Sequence, residues 1–523
     1  MISLLIAVIL FRTFLAEGYM ISTGSMAPAL LGYHKRVVCP TCTVEFPFGV
    51  AYDTDDLEHL AADDARRQIA ICPNCGQPNI QVSEVSRNHG DQLLVFKQSY
   101  LYRDPHRWEV VVFRNPSNPL EAFVKRVAGL PGEVIQVIDG DIHVNGTLCR
   151  KTWQEQIELR IPVHKHLGTD DRSAGVHPHW TAEAGETDDD PPWQTSGSGF
   201  RLKGRDRSDL CWVNYAHWVR RGGQHQTSVS LMSWPAELDS ESAPPAGLKY
   251  DREAHRLSCV GALPEPVRDR LCSLSKTAVF QAAVQDLYEQ SHMAPVNDFY
   301  GYNSSDQQQP PTVVRDLMWS GRVQVSSGKG EFRVEMSTGP HDFAAVFDFH
   351  HRDVRLHMDE QEEPVSTGNL PLSLKQDGAL VEMSLFDQQV LVAVDGVPVL
   401  PAFAFDTSPG GRVTRHPVRF GGRGIDVDVD DIRLFRDVFY TPEQTRHGVA
   451  QPYRLKKDEF FVLGDNSPVS HDSRRWDAAG MPRHLLVGKP FLVHLPSKPG
   501  RLQVGNQHMQ LRLPDVDRIR LLK

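Results

Sequence analysis

The chain has 523 residues, which is too long for one domain and predicts two to four. Forty per cent of the residues are apolar and 23% are charged, so a sizeable core can be buried. A net charge of -10 offers no electrostatic basis for binding nucleic acid, and eight cysteines are too few for a disulfide scaffold. We therefore expect a multidomain globular protein with no nucleic-acid partner.

Residues 1–21 form the one membrane candidate in the sequence, an apolar run interrupted mainly by Arg12. A bilayer requires about 20 mainly apolar residues, and the segment reaches this length if the Arg12 side chain extends to the headgroups. A cleaved signal peptide is the alternative, although a basic start is missing and Leu15-Ala16-Glu17-Gly18 is a poor cleavage site. The sequence predicts a membrane anchor helix over residues 1–21.

Two Cys-x-x-Cys pairs lie within residues 36–87, a segment whose composition differs from its surroundings. Four thiolates in two such pairs suit a tetrahedral zinc ion, and no open coordination position is implied, so the metal would be structural. The alternative is two disulfides, which a location outside the cytoplasm would permit. We predict a zinc-ribbon-like insertion with a helix-like stretch at residues 53–69 and with the ligands Cys39, Cys42, Cys72 and Cys75.

Strand patterns fill residues 88–150. The dipeptide Asp139-Gly140 favours the type I′ turn of a β-hairpin, and an apolar strand pattern lies on each side of it. We expect strands at residues 92–96, 108–113, 122–128, 134–138 and 141–144.

Residues 151–314 carry weaker patterns. The stretch at residues 165–199 is rich in His, Asp, Gly and Pro, which predicts a long surface excursion. One helix is expected at residues 276–290, because Val279, Ala283 and Leu287 recur at helical spacing. This part is therefore predicted as an irregular insertion with a helix.

Residues 315–445 show repeated alternation of apolar and polar residues, as in Phe332/Val334/Met336 and Val390/Val392/Val394. Short alternating strands separated by turn residues are typical of a β-sandwich. The pattern resembles a lamin-G or concanavalin-type sandwich. Further strands are expected at residues 459–463 and 485–495, followed by a C-terminal tail over residues 501–523.

Three short blocks far apart in the sequence carry the residue types of one chemistry. They are Thr23-Gly24-Ser25-Met26-Ala27-Pro28, then residues 123–133 around Lys125, then Gly464-Asp465-Asn466-Ser467 with Ser470, Asp472 and Arg474 after it. Together, in this order and behind an apolar segment, they resemble the characteristic boxes of type I signal peptidases, the bacterial leader peptidases with a Ser/Lys dyad. The resemblance covers about residues 1–35, 88–150 and 455–497.

The resemblance implies that Ser25 is the nucleophile and Lys125 its general base. A serine hydroxyl needs a neighbouring base, and lysine can serve only when its amine is neutral. Burial in an apolar pocket disfavours the ammonium form and lowers the lysine pKa. The same resemblance implies an oxyanion hole formed by the backbone N–H of Ser25 and the hydroxyl of Thr23.

Other residues obtain roles by matching positions in the family. The implied substrate is the signal peptide of a secreted preprotein, with small residues at positions one and three before the cut. Residues implied to line its pockets are Ile21, Met26, Leu30, Phe123 and Val124. Ser470 matches the serine that orients the lysine amine, and structural support is expected from Asp472, Arg474, Gly464, Asp465 and Asn466.

The predicted architecture is mainly β, with a signal-peptidase-type catalytic β-domain assembled from both ends of the chain. Catalysis would need no cofactor. The family implies a single-pass protein of the cytoplasmic (inner) membrane, with its catalytic domain on the extracytoplasmic side. The expected units are the anchor at 1–21, the catalytic domain at 22–35, 88–150 and 451–500, the ribbon at 36–87, the irregular insertion at 151–314, the sandwich at 315–445 and the tail at 501–523.

Two other functions remain open. One is a self-cleaving repressor-type Ser/Lys protease, although an apolar segment stands where that family has a DNA-binding helix-turn-helix. The other is a non-catalytic envelope binding protein built on a signal-peptidase frame, although intact Ser25, Lys125, Ser470 and Asp472 count against decay.

Overall fold

The structure, a computed structural model, describes residues 16–50, 69–77, 79–168, 178–183, 191–219, 226–235, 247–303, 312–406, 414–442, 445–504 and 507–522. The chain is mainly β, as predicted. Within these ranges the α-helices are α1 (Ser99–Tyr102), α2 (Trp153–Leu159), α3 (Glu265–Leu274), α4 (Ala278–Ser291) and α5 (Ser373–Gln376).

The described residues up to position 150 form short strands. The predicted strands near residues 92, 110, 122, 134 and 141 are all confirmed within two residues. In order they are β1 (Ala16–Met20), β2 (His34–Val38), β3 (Glu45–Gly49), β4 (Ile69–Ala70), β5 (Ile80–Gln81), β6 (Arg87–Asn88), β7 (Gln92–Phe96), β8 (Val110–Arg114), β9 (Ala122–Gly129), β10 (Val134–Ile138), β11 (Asp141–Val144) and β12 (Thr147–Leu148).

The middle of the chain contains further strands, two of them very long. They are β13 (Ile161–Lys165), β14 (Trp180–Ala182), β15 (Trp193–Ser196), β16 (Gly199–Lys203), β17 (Cys211–Tyr215), β18 (Gln226–Ser230), β19 (Leu248–Asp251), β20 (Arg256–Val260), β21 (Leu317–Ser337), β22 (Asp342–Asp348), β23 (Asp353–Met358), β24 (Ser366–Asn369), β25 (Ala379–Ser384), β26 (Gln389–Val394), β27 (Val397–Pro398), β28 (Phe403–Ala404) and β29 (Val418–Arg436).

The described residues at the end of the chain contain seven further strands, five of which join sheets begun at its start. They are β30 (Tyr453–Arg454), β31 (Glu459–Leu463), β32 (Met481–Pro482), β33 (Leu486–Val493), β34 (Ser497–Val504), β35 (Gln507–Pro514) and β36 (Arg520–Leu521). The strand predicted at residues 459–463 is confirmed.

One sheet joins strands from both ends of the chain in the order β1-β7-β33-β8-β9-β31-β32, with β36 also paired to β33. Alternate residues of its strands enter two different apolar clusters, so both faces of the sheet are buried. On β8, for example, Val110 and Val112 join one cluster, whereas Val111 and Phe113 join the other. This double burial explains why a central strand such as β8 is almost continuously apolar.

The hairpin of β10 and β11 has the predicted turn. Asp139 and Gly140 both have positive φ, 50° and 88°, as a type I′ turn requires. The hairpin lies in a second small sheet with the order β12-β11-β10-β30.

The predicted anchor helix over residues 1–21 is wrong at its end. Residues 16–20 form strand β1, which pairs antiparallel with β7 from Ala16↔Phe96 to Met20↔Gln92. The burial along β1 alternates, which is the period of a strand at the edge of a sheet. Residues 1–15 lie outside the described part of the chain. In the part that is described, none of the helices combines the length and hydropathy that a bilayer crossing requires.

The prediction of an irregular insertion over residues 151–314 is wrong for β13–β17. These strands join the same 14-stranded sheet as β21–β29. The surface excursion predicted over residues 165–199 is wrong for the described residues around Trp180 and Trp193, because both side chains are buried in the sheet's core against Phe420. The polar composition of the whole stretch concealed short strands around these two tryptophans.

The alternation predicted in residues 315–445 is confirmed strand by strand. β21 and β29 pair along nearly their whole length, with register shifts at three places that bend the two strands. Strands from both ends of this sheet contribute to one apolar core that contains Trp319, Phe332 and Phe420. The resemblance to a lamin-G or concanavalin-type sandwich stays a prediction.

The helix predicted at residues 276–290 is confirmed as α4, with one face corrected. Val279 is 64% exposed, whereas Phe280, Ala283, Val284 and Leu287 are buried. The buried face of the helix therefore includes Phe280 in place of the predicted Val279. With α3, the helix packs on a three-stranded sheet of the order β18-β20-β19.

The described residues of the segment predicted as a C-terminal tail, 501–523, include paired strands. β34 and β35 form an antiparallel hairpin, and β36 pairs with β33 of the first sheet. Ion pairs from Arg518 to Asp91 and from Arg36 to Asp515 hold the segment that follows the hairpin against the start of the chain.

Candidate active site

Ser25 and Lys125 meet although 100 residues separate them. Ser25 lies in the loop after β1, in a turn closed by the Ala27 N–H donating to the Gly24 carbonyl at 3.0 Å. Lys125 lies on β9, and its Nζ is 2.5 Å from Ser25 Oγ. The lysine residue is only 4% exposed. The two sequence blocks are therefore brought together as a hydrogen-bonded hydroxyl and amine.

The Lys125 amine is held in conditions that favour its neutral form. The pKa of Lys125 is lowered from 10.5 to about 8, mainly by burial and also by the Arg474 charge, while the Asp472 and Asp465 carboxylates oppose this shift. The Phe123 ring lies 5.8 Å from Nζ and forms part of the apolar surroundings. About half of the amines are therefore neutral near pH 8, which makes Lys125 chemically able to accept a proton from Ser25.

Asp472 and Arg474 form a fully buried ion pair behind the dyad. Arg474 donates from Nε to Asp472 Oδ1 at 3.0 Å and from Nη2 to Oδ2 at 2.8 Å. The backbone N–H of Gly464 donates to Asp472 Oδ2 at 3.1 Å. Burial alone would raise the pKa of Asp472, but the charge of Arg474 and its hydrogen bonds to the carboxylate hold this pKa below its usual value. The pair thus joins the end of β31 to the loop that follows it.

Ser470 is fully buried beside the same loop. A Cβ added at Gly464 would lie 2.2 Å from Ser470 Oγ and 2.4 Å from the Ser25 carbonyl oxygen, so only glycine fits where these groups converge. The Ser470 hydroxyl helps to lower the pKa of Asp472. Its role in orienting the Lys125 amine stays a prediction.

Arg126, to which the sequence assigned no role, is a second buried anchor of the site. Its side chain points away from Lys125, because neighbouring residues of a strand face opposite sides. Arg126 donates from Nε and Nη2 to the Asp465 carboxylate at 2.9 and 2.7 Å, and from Nη1 to the Trp108 carbonyl at 2.7 Å. An arginine next to the lysine, and an aspartate in the third block, were the sequence signal for this pair.

The third block also touches the nucleophile loop directly. The Asn466 backbone N–H donates to the Ser25 carbonyl at 3.0 Å, and the Asn466 side chain donates to the Gly24 carbonyl at 3.0 Å. Asn466 is completely buried. The block Gly464-Asp465-Asn466 therefore holds the backbone on both sides of Ser25.

Four of the five predicted substrate-pocket residues share one apolar cluster beside Ser25. These are Ile21, Met26, Leu30 and, at its partly buried edge, Val124. Phe123 instead packs edge-on against Phe113 in the cluster on the other face of the sheet. Thr23 is exposed next to Ser25.

The four cysteines of the predicted ribbon are buried and free, and their sulfur atoms lie within 4.8 Å of one another. The sulfurs of Cys39 and Cys75, and those of Cys42 and Cys72, are 3.6 Å apart. A disulfide requires about 2.05 Å, whereas a tetrahedral ion with metal–sulfur bonds of about 2.3 Å separates its sulfurs by about 3.8 Å. The donor set therefore fits a structural zinc ion. The helix-like stretch predicted at residues 53–69 lies outside the described residues except for its last one, Ile69, which is in β4.

Comparison with known proteins adds to this geometry. A family model described as signal peptidase, peptidase S26 matches residues 79–189, which include Lys125. The chain is similar to "Probable signal peptidase I-2" of Synechocystis sp., with 40% identity over 103 residues, 17% of this chain and 44% of that protein. It is similar to "Signal peptidase I V" of Bacillus subtilis, with 40% identity over 101 residues, 18% of this chain and 52% of that protein. The matches support a serine peptidase.

The chain spans about half the length of the curated relatives it matches. Among solved structures, it is similar to a Bacillus subtilis protein of unknown function with a galectin-like fold, at 12% identity and a TM-score of 0.19, over 23% of this chain and 71% of that one. It is also similar to Trypanosoma rangeli sialidase in complex with sialic acid, at 11% identity and a TM-score of 0.22, over 47% of this chain and 27% of that one. Scores this low carry no conclusion about this chain.

Proposed function

We propose that the chain is a serine endopeptidase that removes signal peptides from secreted preproteins, with Ser25 as nucleophile and Lys125 as general base. The observation that carries the proposal is the buried Lys125 amine 2.5 Å from the Ser25 hydroxyl, with its pKa lowered to about 8. A neutral amine at this distance is what a serine nucleophile requires. The same geometry disfavours the non-catalytic alternative.

The reaction proceeds by acyl transfer. Ser25 Oγ attacks the scissile carbonyl and its proton passes to Lys125 Nζ. The oxyanion is stabilised by the Ser25 N–H and the Thr23 hydroxyl, and one such donor typically contributes about 10²–10³ in rate. Lys125 then protonates the leaving amine, and the neutral amine activates a water molecule that hydrolyses the acyl-enzyme.

The apolar cluster beside Ser25 supports a preference for small side chains before the cut. Ile21, Met26, Leu30 and Val124 pack into one cluster there and offer an apolar surface to these side chains. A preprotein segment would bind in extended form, with backbone hydrogen bonds to a neighbouring strand edge. The location at the outer face of the cytoplasmic membrane depends on residues 1–15 and stays a prediction.

The substrate proposal is tested with purified full-length protein in detergent and a secreted preprotein with Ala at positions one and three before the cut. We expect cleavage at this site, read by mass spectrometry of the products. Replacement of either Ala by Trp is expected to reduce kcat/KM by at least about 10²-fold, because the proposed site accepts only small side chains at these two positions. Equal cleavage of all three substrates would reject the signal-peptide assignment.

The cysteine cluster is proposed to bind one structural zinc ion. The spacing of its four sulfurs supports this, and so does the matching backbone of the two knuckles, in which Thr43 and Gly76 donate to the carbonyls of Cys39 and Cys72 at 3.0 and 2.9 Å. Bound zinc would fix the fold of this ribbon and supply no step of the proteolytic reaction.

Elemental analysis of the purified protein is expected to find about one zinc per chain. Cys72→Ser is expected to lose most of the metal and to lower the melting temperature, since a structural site stabilises the fold outright. Cys259→Ser is the matched control, because Cys259 is also buried but lies on β20 of the separate three-stranded sheet, and it should keep the full zinc content. Full zinc content in Cys72→Ser would contradict the assignment.

A further inference from the structure

Residues 299–303, which belong to the long insertion before β21, contact both loops of the candidate active site. We propose that this 299–303 segment positions the backbone N–H of Ser25 for oxyanion stabilisation, with Asn303 as its main positioning residue. The inference rests on the proposed function. It is carried by three separate sets of contacts, to Asn466, to Asp465 and to Gly24.

The first set is a reciprocal amide pair between Asn303 and Asn466. Asn303 Nδ2 donates to Asn466 Oδ1 at 2.8 Å, and Asn466 Nδ2 donates to Asn303 Oδ1 at 2.7 Å. Asn466 Nδ2 also donates to the Gly24 carbonyl at 3.0 Å. Both hydrogens of this amide nitrogen are therefore used, and the Asn303 partner fixes which end of the Asn466 amide faces Gly24.

This orientation matters because the Gly24 carbonyl and the Ser25 N–H belong to one peptide group. The group is planar and trans, so its C=O and N–H point in opposite directions. When Asn466 holds the Gly24 oxygen, it also sets the direction of the Ser25 N–H, which is the proposed oxyanion donor. Asn303 therefore acts on the donor through Asn466, without touching the reacting atoms.

The second set fixes the neighbouring residue of the third block. Tyr300 Oη donates to the Asp465 carbonyl at 2.7 Å, and burial raises the pKa of Tyr300 to about 12, so the hydroxyl keeps its proton. The Arg436 guanidinium lies 4.6 Å from the centre of the Tyr300 ring. The Asp465 carboxylate pairs with Arg126, beside Lys125 on β9. Through Asp465 and Arg126, the segment is thus also connected to β9, the strand that carries Lys125.

The third set acts on the nucleophile loop by packing. A Cβ added at Gly24 would lie 2.2 Å from the Tyr302 ring, so the close approach of this ring leaves room only for glycine at position 24. Tyr302 packs with Ala27 and Leu31, and its hydroxyl donates to the Tyr33 carbonyl at 3.0 Å. The loop that carries Ser25 is therefore held between Asn466 on one side and Tyr302 on the other.

The test uses the full-length protein and follows kcat and KM per folded molecule. Asn303→Ala is expected to lower kcat by about 10²-fold, as for a misaligned oxyanion donor, with KM and the pH midpoint unchanged because Lys125 is untouched. Asn214→Ala is the matched control, since Asn214 has the same 6% exposure and donates to Glu183 in the large sheet. It should leave kcat unchanged.

Two further variants separate positioning from general stabilisation. In an Asn466→Ala background, Asn303→Ala is expected to have no additional effect on kcat, because its action passes through Asn466. Tyr300→Phe, which removes one hydroxyl, is expected to lower kcat by about tenfold, compared with no change for Tyr250→Phe, whose hydroxyl donates to the Leu231 carbonyl beside the three-stranded sheet.

The outcomes distinguish this inference from the proposed function. Suppose that Ser25→Ala abolishes cleavage. If Asn303→Ala then keeps the wild-type kcat, or if it lowers kcat just as much in the Asn466→Ala background, the positioning role is rejected and the proposed function stands. If Ser25→Ala still cleaves, the proposed function is rejected and the positioning role with it.

Discussion

Lys125→Met is expected to abolish cleavage and, at pH 7, to make the folded protein more stable. Loss of the general base should reduce kcat on the order of 10⁶-fold, as when one member of a hydrolase triad is removed. The stabilisation follows from the cost of burying an ammonium group. A lowering of the lysine pKa from 10.5 to about 8 corresponds to about 3 kcal/mol at pH values where the amine is protonated in both states.

The sign of this effect can be followed with pH. Between pH 8 and 10.5 the folded wild type has released the Lys125 proton while the unfolded chain still holds it, so the free energy of unfolding rises with pH. Above 10.5 both states are neutral and the cost is gone. The stability gained by Lys125→Met should therefore be largest below pH 8 and should shrink as the pH approaches 10.5, as measured by denaturant unfolding.

Lys151 supplies the matched control for Lys125. Both lysines are 4% exposed, but the Lys151 amine forms ion pairs with Asp387 and with Asp437, the latter at 2.8 Å. Burial would lower the pKa of Lys151, but the carboxylates raise it well above its usual value. Lys151→Met leaves these carboxylates without their cation and is expected to destabilise the protein by about 3–5 kcal/mol.

The activity of the wild type is expected to rise with pH, with a midpoint in kcat/KM near pH 8, because the neutral amine is the active form. Below the midpoint, kcat/KM should fall about tenfold per pH unit. Lys125→Arg should be inactive throughout, since a guanidinium stays protonated. A flat profile between pH 6 and 9, or a Lys125→Met protein less stable than the wild type at pH 7, would contradict a Lys125 base.

The groups of the dyad could be predicted because three short blocks, in this order, resemble the characteristic boxes of type I signal peptidases. Ser25, Lys125 and the Asp472–Arg474 pair stand in blocks that can be read without knowing the fold. The 299–303 segment could not be predicted in this way. Asn303 meets Asn466 across 163 residues of sequence, and tyrosines and an asparagine in a loop carry no pattern of their own.

The errors in the fold have a similar physical origin. Residues 16–20 continue an apolar run, and hydropathy over so few residues cannot separate a helix end from a strand that pairs with β7. β14 and β15 are three and four residues long, and each depends on one buried tryptophan and on pairing with a distant strand. The hairpin at Asp139-Gly140 was predicted correctly because the type of a two-residue turn depends on the φ angles of its own two residues.

The second large effect is expected for Asp472→Ala, which should destabilise the protein by about 3–5 kcal/mol. The substitution leaves the Arg474 guanidinium fully buried without its carboxylate partner, and an uncompensated buried charge is costly. It also removes the acceptor of the Gly464 N–H at the end of β31. Because the Asp472 carboxylate raises the pKa of Lys125, the remaining folded protein should show its activity midpoint at lower pH than the wild type.

Asp477→Ala is the control for Asp472→Ala, because Asp477 also pairs with an arginine, Arg446, but its side chain is 96% exposed. Solvent screens such a pair, so no measurable change in the free energy of unfolding is expected. The pKa of Asp472 is lowered in the folded state, so its contribution to stability is complete above about pH 3.8 and is lost as the pH falls through the lower, folded value. The difference between wild type and Asp472→Ala in denaturant unfolding should therefore be constant from pH 5 to 8 and shrink in stronger acid. Equal stability of the two aspartate variants at pH 7 would mean that the buried pair does not support the site.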